Sequence, residues 1–201
     1  MEKKFELTEN YVVNESGTKL YQIKCTKTFE YAKKGELGGY IEREVNLSQK
    51  GAAWVSGNAR VFDDARVSGN AWVSGNARVY GDAQVYGNAW VYGNAWVYGN
   101  ALVFDDAQVS GDAWVFDDAW VFGNARVSGK ARVYGNAEVL GNARVSGNAR
   151  VFDDAWVFDD AWVFDAAWVF DDAWVFGNAR VSGNAEVLGN ARVFDDAWMC
   201  K

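Results

Sequence analysis

The chain has no histidine and no proline, and only two cysteines and two methionines in 201 residues. Without histidine there is no imidazole base to activate a thiol, so Cys25 and Cys200 are expected to be incidental or buried thiols rather than nucleophiles. Their positions match no metal-ligand or disulfide spacing, and such sparse cysteine suits a reducing compartment. The N-terminal MEKKFELTEN carries charge without an apolar run of roughly 7–15 residues behind it, so no signal peptide is expected, and no stretch is long and apolar enough to suggest a membrane span. A G-x-x-x-x-G-K-[ST] phosphate loop is also absent. These absences point to a cytoplasmic protein without membrane contact.

The net charge is −7, held unevenly: residues 1–50 carry nine Lys/Arg against eight Glu, and residues 51–201 carry eleven against nineteen Asp/Glu. An acidic balance opposes nonspecific binding to nucleic-acid phosphates, which depends on Lys and Arg. General nucleic-acid binding is therefore not expected.

What is present in abundance is a hexad, A-x-V-x-[GD]-[ND], with Ala at every sixth position from Ala53 to Ala197 and Val two places later until Met199 takes the last such slot. No residue is inserted or lost. A fixed short period marks a solenoid whose units pack on their neighbours. Strict alternation over four residues, with no recurrence at three and four, predicts short strands. Gly-Asn, Gly-Asp and Asp-Asp tolerate left-handed or tight-turn backbone, so the chain should turn a corner every six residues. Ala and Val lie two apart and share a side, which as the invariant small apolar pair must be the inside of a narrow coil. All eleven Trp, in the slot between Ala and Val, and the ten Phe and five Tyr in the slot after Val therefore point outward.

V-S-G-N-A-R and V-Y-G-N-A-W resemble the hexapeptide repeat of left-handed parallel β-helices. The resemblance covers about three quarters of the chain. It implies an all-β fold: a left-handed parallel β-helix, a triangular solenoid of about eight coils of 18 residues, on the order of 40 Å long at ~4.8 Å per strand. Residues 1–50, with the strand-like runs FELT, YVV and KLYQIKC around an Asn14–Gly17 turn, are read as a small N-terminal β cap, and residues 51–201 as the solenoid. Residues 33–59 are also similar to repeat proteins encoded in phages and prophages of Gram-positive bacteria, which implies the cytoplasm of an infected or lysogenic host. The best-known activity of hexapeptide-repeat proteins is acyl transfer with a catalytic His, and a chain with no His does not carry it. No catalytic residue, no cofactor and no enzymatic activity are expected.

If three hexads make a coil, residues 18 apart share a face. The slot after Val then sorts into a first face led by Ser56, Ser74, Ser110, Ser128, Ser146 and Ser182, a second led by Phe62, Tyr80 and Tyr98, and a third from Ser68 and Tyr86 to Phe194. One face is made for water and two are aromatic. Two such faces exceed the few hundred Å² of apolar patch usual on a monomer, and the coil stops in mid-repeat at AWMCK with no cap of its own encoded. Both features predict a homo-oligomer, a dimer or trimer. The candidate ligand-binding or interface residues are Arg78, Tyr80, Trp96, Tyr98, Trp114, Phe116, Arg132, Tyr134, Arg150, Phe152, Trp156, Phe158, Trp168, Phe170, Trp174 and Phe176. Arg beside aromatic rings holds phosphate and stacks bases, and equally covers rings on an ordinary surface. The Asp-Asp pairs are read as corners rather than cation sites, and no metal is expected.

The leading expectation is a non-enzymatic phage or prophage protein that self-associates through aromatic faces and sequesters a small molecule, a nucleotide among the candidates, or blocks a host protein. Two alternatives stand beside it: an acidic rod that mimics nucleic acid to inhibit a DNA-binding protein, and a structural filament or spacer.

Overall fold

A computed structural model describes residues 3–201. Phe5–Val13 (β1) and Lys19–Cys25 (β2) form an antiparallel hairpin. FELT and YVV are one strand, not two, with a register shift between Leu7 and Tyr11. At the turn, Asn14 Oδ1 accepts the backbone N–H groups of Ser16 at 3.1 Å and Thr18 at 2.8 Å, the local pairing that makes Asn a turn residue. Leu37–Ile41 (β3) pairs antiparallel with β2 on one edge and parallel with Arg60–Val61 on the other. It is the joint at which hairpin becomes solenoid wall. Leu47 bridges Val67 in parallel, so parallel stacking begins ahead of the first complete hexad.

From Trp54 to Cys200 the chain runs as strands of two or three residues that join every third neighbour, building three parallel sheets. Register is uniform at 18 residues: Trp96 pairs with Trp114 and Val97 with Val115. The first face is nine strands tall, from Trp54–Val55 to Trp198–Cys200. The second is the repeat part of an eleven-stranded sheet that begins with β1, β2 and β3, and the third has eight strands. The three faces are those given by the serine and aromatic sorting. Backbone N–H groups reach the next coil throughout, as in Trp96 N to Ala113 O at 2.9 Å and Tyr98 N to Val115 O at 3.0 Å.

The interior is the Ala-Val column, fully buried from Ala53 to Val181. Each Val contributes roughly 1.5–3 kcal/mol by burial, and Ala keeps the coil narrow enough for the walls to meet. The corners explain the other invariant. Repeat glycines there have φ of 62–75°, and eight aspartates occupy the same left-handed region at 55–60°. For a residue with a Cβ that region costs about 1–2 kcal/mol. Several of these aspartates gain a bond in return: Asp171 Oδ2 accepts the Gly189 N–H one coil on at 2.9 Å, and Asp63, Asp105, Asp159 and Asp165 do the same with their successors. The second corner residue forms amide ladders along the edges. Asn58 donates to Asn76 at 3.2 Å, Asn76 to Asn94 at 3.0 Å, and Asn94 to Asp112 at 2.9 Å. Because a carboxylate only accepts, Asp closes each ladder.

The N-terminal segment covers the first coil. Lys4 is buried and donates from Nζ to the Ala53 carbonyl at 2.7 Å, with Phe29 under the ammonium at 5.3 Å. Burial pulls its pKa down to about 8. Trp54, in an outward slot, is nonetheless completely buried, its ring met edge-on by Phe29 at 5.4 Å.

Candidate binding faces

The alternation that buries Ala and Val projects every second residue outward, and a coil spacing near 4.8 Å sets neighbouring rings at stacking distance. On the second face Phe62, Tyr80, Tyr98, Phe116, Tyr134, Phe152 and Phe170 form one column, with centroids 4.8–4.9 Å apart and planes within 5° of parallel. Beside it runs a column of Arg and Trp. Arg78 lies over Trp96 at 4.9 Å, Trp96 stacks on Trp114 at 5.1 Å, Arg132 covers Trp114 at 4.7 Å, and Arg150 covers Trp168 at 4.7 Å. Trp and ring columns also touch edge-on, Tyr80 to Trp96 at 6.3 Å and Phe152 to Trp168 at 6.1 Å. Burial pushes the Tyr80 phenol up to about 12, with Tyr98 beside it acting in the same direction, and burial also raises Tyr98 and Tyr134. These hydroxyls are neutral in ordinary buffers.

The structure thus divides the sequence-predicted residues into two groups. Arg78, Tyr80, Trp96, Tyr98, Trp114, Phe116, Arg132, Tyr134, Arg150, Phe152, Trp168 and Phe170 share the second face, whereas Trp156, Phe158, Trp174 and Phe176 lie on the third. On that third face Trp156 stacks on Trp174 at 5.4 Å and Phe158 on Phe176 at 4.9 Å. Sequence reasoning left out Phe104, Trp120 and Phe122, which extend the same surface. The 18-residue spacing was signal enough to find them.

The two faces differ in cover. Among the described residues the only largely exposed hydrophobic side chain on the second face is Leu188, because rings, guanidinium groups and the hairpin turn shield the rest. The turn adds a residue that sequence gave no means of finding: Glu15 pairs with Arg78 at 2.7 Å, and its own backbone N–H together with that guanidinium hold its carboxyl below the usual range. Asn14, Glu15, Ser16, Phe62, Asp63, Arg78, Tyr80 and Trp96 line a cavity of about 430 Å³ between turn and face. The third face has no Arg between Arg66 and Arg192, and Trp120 is 42% exposed, Trp156 36% and Phe194 48%. Glu138, between those tryptophans in the stack, has its pKa raised by desolvation. No cluster of three or more His, Cys, Asp or Glu with metal-holding geometry occurs among the described residues.

With this geometry in view, residues 53–69, 59–75, 65–81, 71–85, 83–99, 95–111, 119–135 and 143–159 each match the YdcK beta solenoid repeat. The chain is a β-solenoid repeat protein. The matched units start at whole-hexad offsets from one another, as a solenoid read from any corner would, and together they span a little under half of the residues. No curated protein matches this solenoid.

Proposed function

We propose that this solenoid is a non-enzymatic binding protein: copies associate through the third face, and the second face with its Arg-aromatic columns and hairpin pocket takes a small molecule. The observation that carries this reading is the contrast in cover between the faces. A face about eight coils tall and four residues wide is roughly 40 by 13 Å, on the order of 500 Å². Its aromatic part, from Trp120 to Phe194, is of the order of the largest apolar patch of a typical monomer, and a pair of whole faces buries roughly 1,000 Å², the threshold of a specific contact. The second face, already shielded, offers instead a cavity of about 430 Å³ lined by Phe62, Tyr80 and Trp96, with Arg78 held by Glu15 over that indole, a size and an aromatic lining suited to a planar ligand. The similarity of residues 33–59 to phage and prophage repeat proteins supports a phage origin and a bacterial cytoplasm, with the coil wound left-handed as in the hexapeptide-repeat proteins.

Sedimentation velocity on the wild type, Trp120→Glu and Tyr98→Glu tests the assignment of faces. The wild type and Tyr98→Glu should sediment as the same oligomer and Trp120→Glu as a monomer. A monomeric wild type, or an oligomer broken by Tyr98→Glu alone, would refute it.

A further inference from the structure

The first face has serine in most slots after Val but also bears the exposed Trp90, Tyr92, Trp162 and Trp198, so it is not the purely polar face expected from the serines. It carries a feature that neither the aromatic columns nor the corners account for. Arg126 and Arg144 are register partners on adjacent coils, about one strand spacing of ~4.8 Å apart. Two residues along each strand, on the same outward side, stand Ser128 and Ser146. These four and Trp162 line a groove of about 280 Å³. Two like charges at that spacing repel, yet neither guanidinium is in an ion pair: among the described residues the paired arginines are Arg43 and Arg78. Arg144 instead lies over Trp162, its guanidinium carbon 4.7 Å from the ring centroid, with Arg180 on the next coil at 5.3 Å from the same ring. That contact holds the guanidinium by its carbon and leaves its N–H groups without a protein acceptor among the described residues.

The donors around the groove are unspent as well. At both ends of this face an indole is tied to serine, Trp72 Nε1 donating to Ser56 Oγ at 2.9 Å and Trp198 Nε1 to Ser182 Oγ at 3.2 Å. Ser146 stands sixteen residues before Trp162 in the same relation, and no such bond joins them. The flanking corners carry no carboxylate on these two coils. They hold Asn124 and Asn142, whose side chains bond to each other at 3.1 Å, together with Lys130 and Asn148, in a chain whose net charge is −7. Two guanidinium groups, two hydroxyls and the Trp162 indole line the groove, all of them able to donate, while carboxylates stand at the corners of the coils on either side, Asp106 and Asp112 before and Asp160 and Asp165 after.

We infer that this groove binds a phosphate group, free or as a monoester, gripped by the Arg126 and Arg144 forks with the Ser128 and Ser146 hydroxyls on its remaining oxygens. A tetrahedral dianion removes the repulsion between the stacked guanidinium groups and accepts from several donors at once, which chloride does not. The inference does not rest on association through the third face.

Isothermal titration in dilute chloride buffer tests it with two probes, inorganic phosphate and methyl phosphate, on the full chain. Saturable binding of one phosphate per chain is expected, weakened at least tenfold by Arg126→Gln, which stacks on no ring, and by Arg144→Gln. Arg144→Lys, which keeps the charge and loses the fork, should fall between, and Lys24→Gln, an exposed cation of the N-terminal hairpin, should bind within twofold of wild type. Tighter binding of methyl phosphate assigns a phosphorylated small molecule, and equal or weaker binding assigns the free ion. Absence of saturable binding for both probes, an unchanged affinity in Arg126→Gln, or an equal loss in Lys24→Gln would overturn the inference.

Discussion

Leu140 interrupts the outer ring column of the third face. Tyr86, Phe104 and Phe122 stack before it at 4.9 and 4.8 Å, and Phe158, Phe176 and Phe194 after it at 4.9 and 5.4 Å. Its backbone keeps the ladder, Leu140 N donating to Val157 O at 3.0 Å as the ring-bearing positions do. Leu140→Phe should therefore join two triplets into one column like that of the second face, adding two stacked pairs. At roughly 0.2–1 kcal/mol per pair, stability should rise by about 0.4–2 kcal/mol. For a chain of this size that is a Tm gain on the order of 1–8 °C. Phe116→Leu is the reverse experiment, since Phe116 stacks on Tyr98 at 4.9 Å and Tyr134 at 4.8 Å, and it should lose a similar amount. Both variants are compared with wild type by urea and thermal unfolding, followed by near-ultraviolet circular dichroism across a range of protein concentrations so that oligomerisation is held apart from folding. A Leu140→Phe protein no more stable than wild type, together with a Phe116→Leu protein no less stable, would show that ring columns contribute nothing beyond coverage.

Two further outcomes follow from the corners and the cap. Asp154 accepts from Asn136 at 2.9 Å but faces Asp172 one coil on with no bond between them, so Asp154→Asn should extend the amide ladder and remove a like-charge contact, raising stability by about 0.3–1 kcal/mol in urea unfolding. Lys4 has a folded pKa near 8 against 10.5 unfolded, so the unfolded chain holds the extra proton between those values and stability should climb as pH rises from 8 toward 10, a rise that Lys4→Met abolishes. Above pH 10 the sign reverses, because Tyr80 keeps its proton to about 12 in the fold while unfolded tyrosines ionise near 10, and the stability it contributes is lost as pH climbs.

The repeat wall was legible because its physics is local and periodic. Ala and Val two apart dictate the inside, the corner pair dictates the turn, and the 18-residue sorting of Ser56, Ser74 and Ser110 against Phe62, Tyr80 and Tyr98 dictates three faces, all of which the sheets reproduce. The division of the candidate site between two faces follows from the same numbers. Contacts between the N-terminal segment and the solenoid were not legible. Lys4 to Ala53 and Glu15 to Arg78 join residues 49 and 63 positions apart with no period to announce them. Trp54 shows the consequence: an outward slot buried because Phe29 and its neighbours lie over it. The role of Asp as the acceptor that ends an Asn ladder was written in the sequence, at Asn94 and Asp112, but only the direction of the amides reveals it.

The central claim, that copies of this solenoid meet through the exposed third face, is tested most directly by native mass spectrometry of the purified chain. The account predicts a single assembly at an integer multiple of 22.3 kDa that Trp120→Glu with Trp156→Glu reduces to one chain. A wild-type spectrum at 22.3 kDa alone, at concentrations well above micromolar, would contradict it.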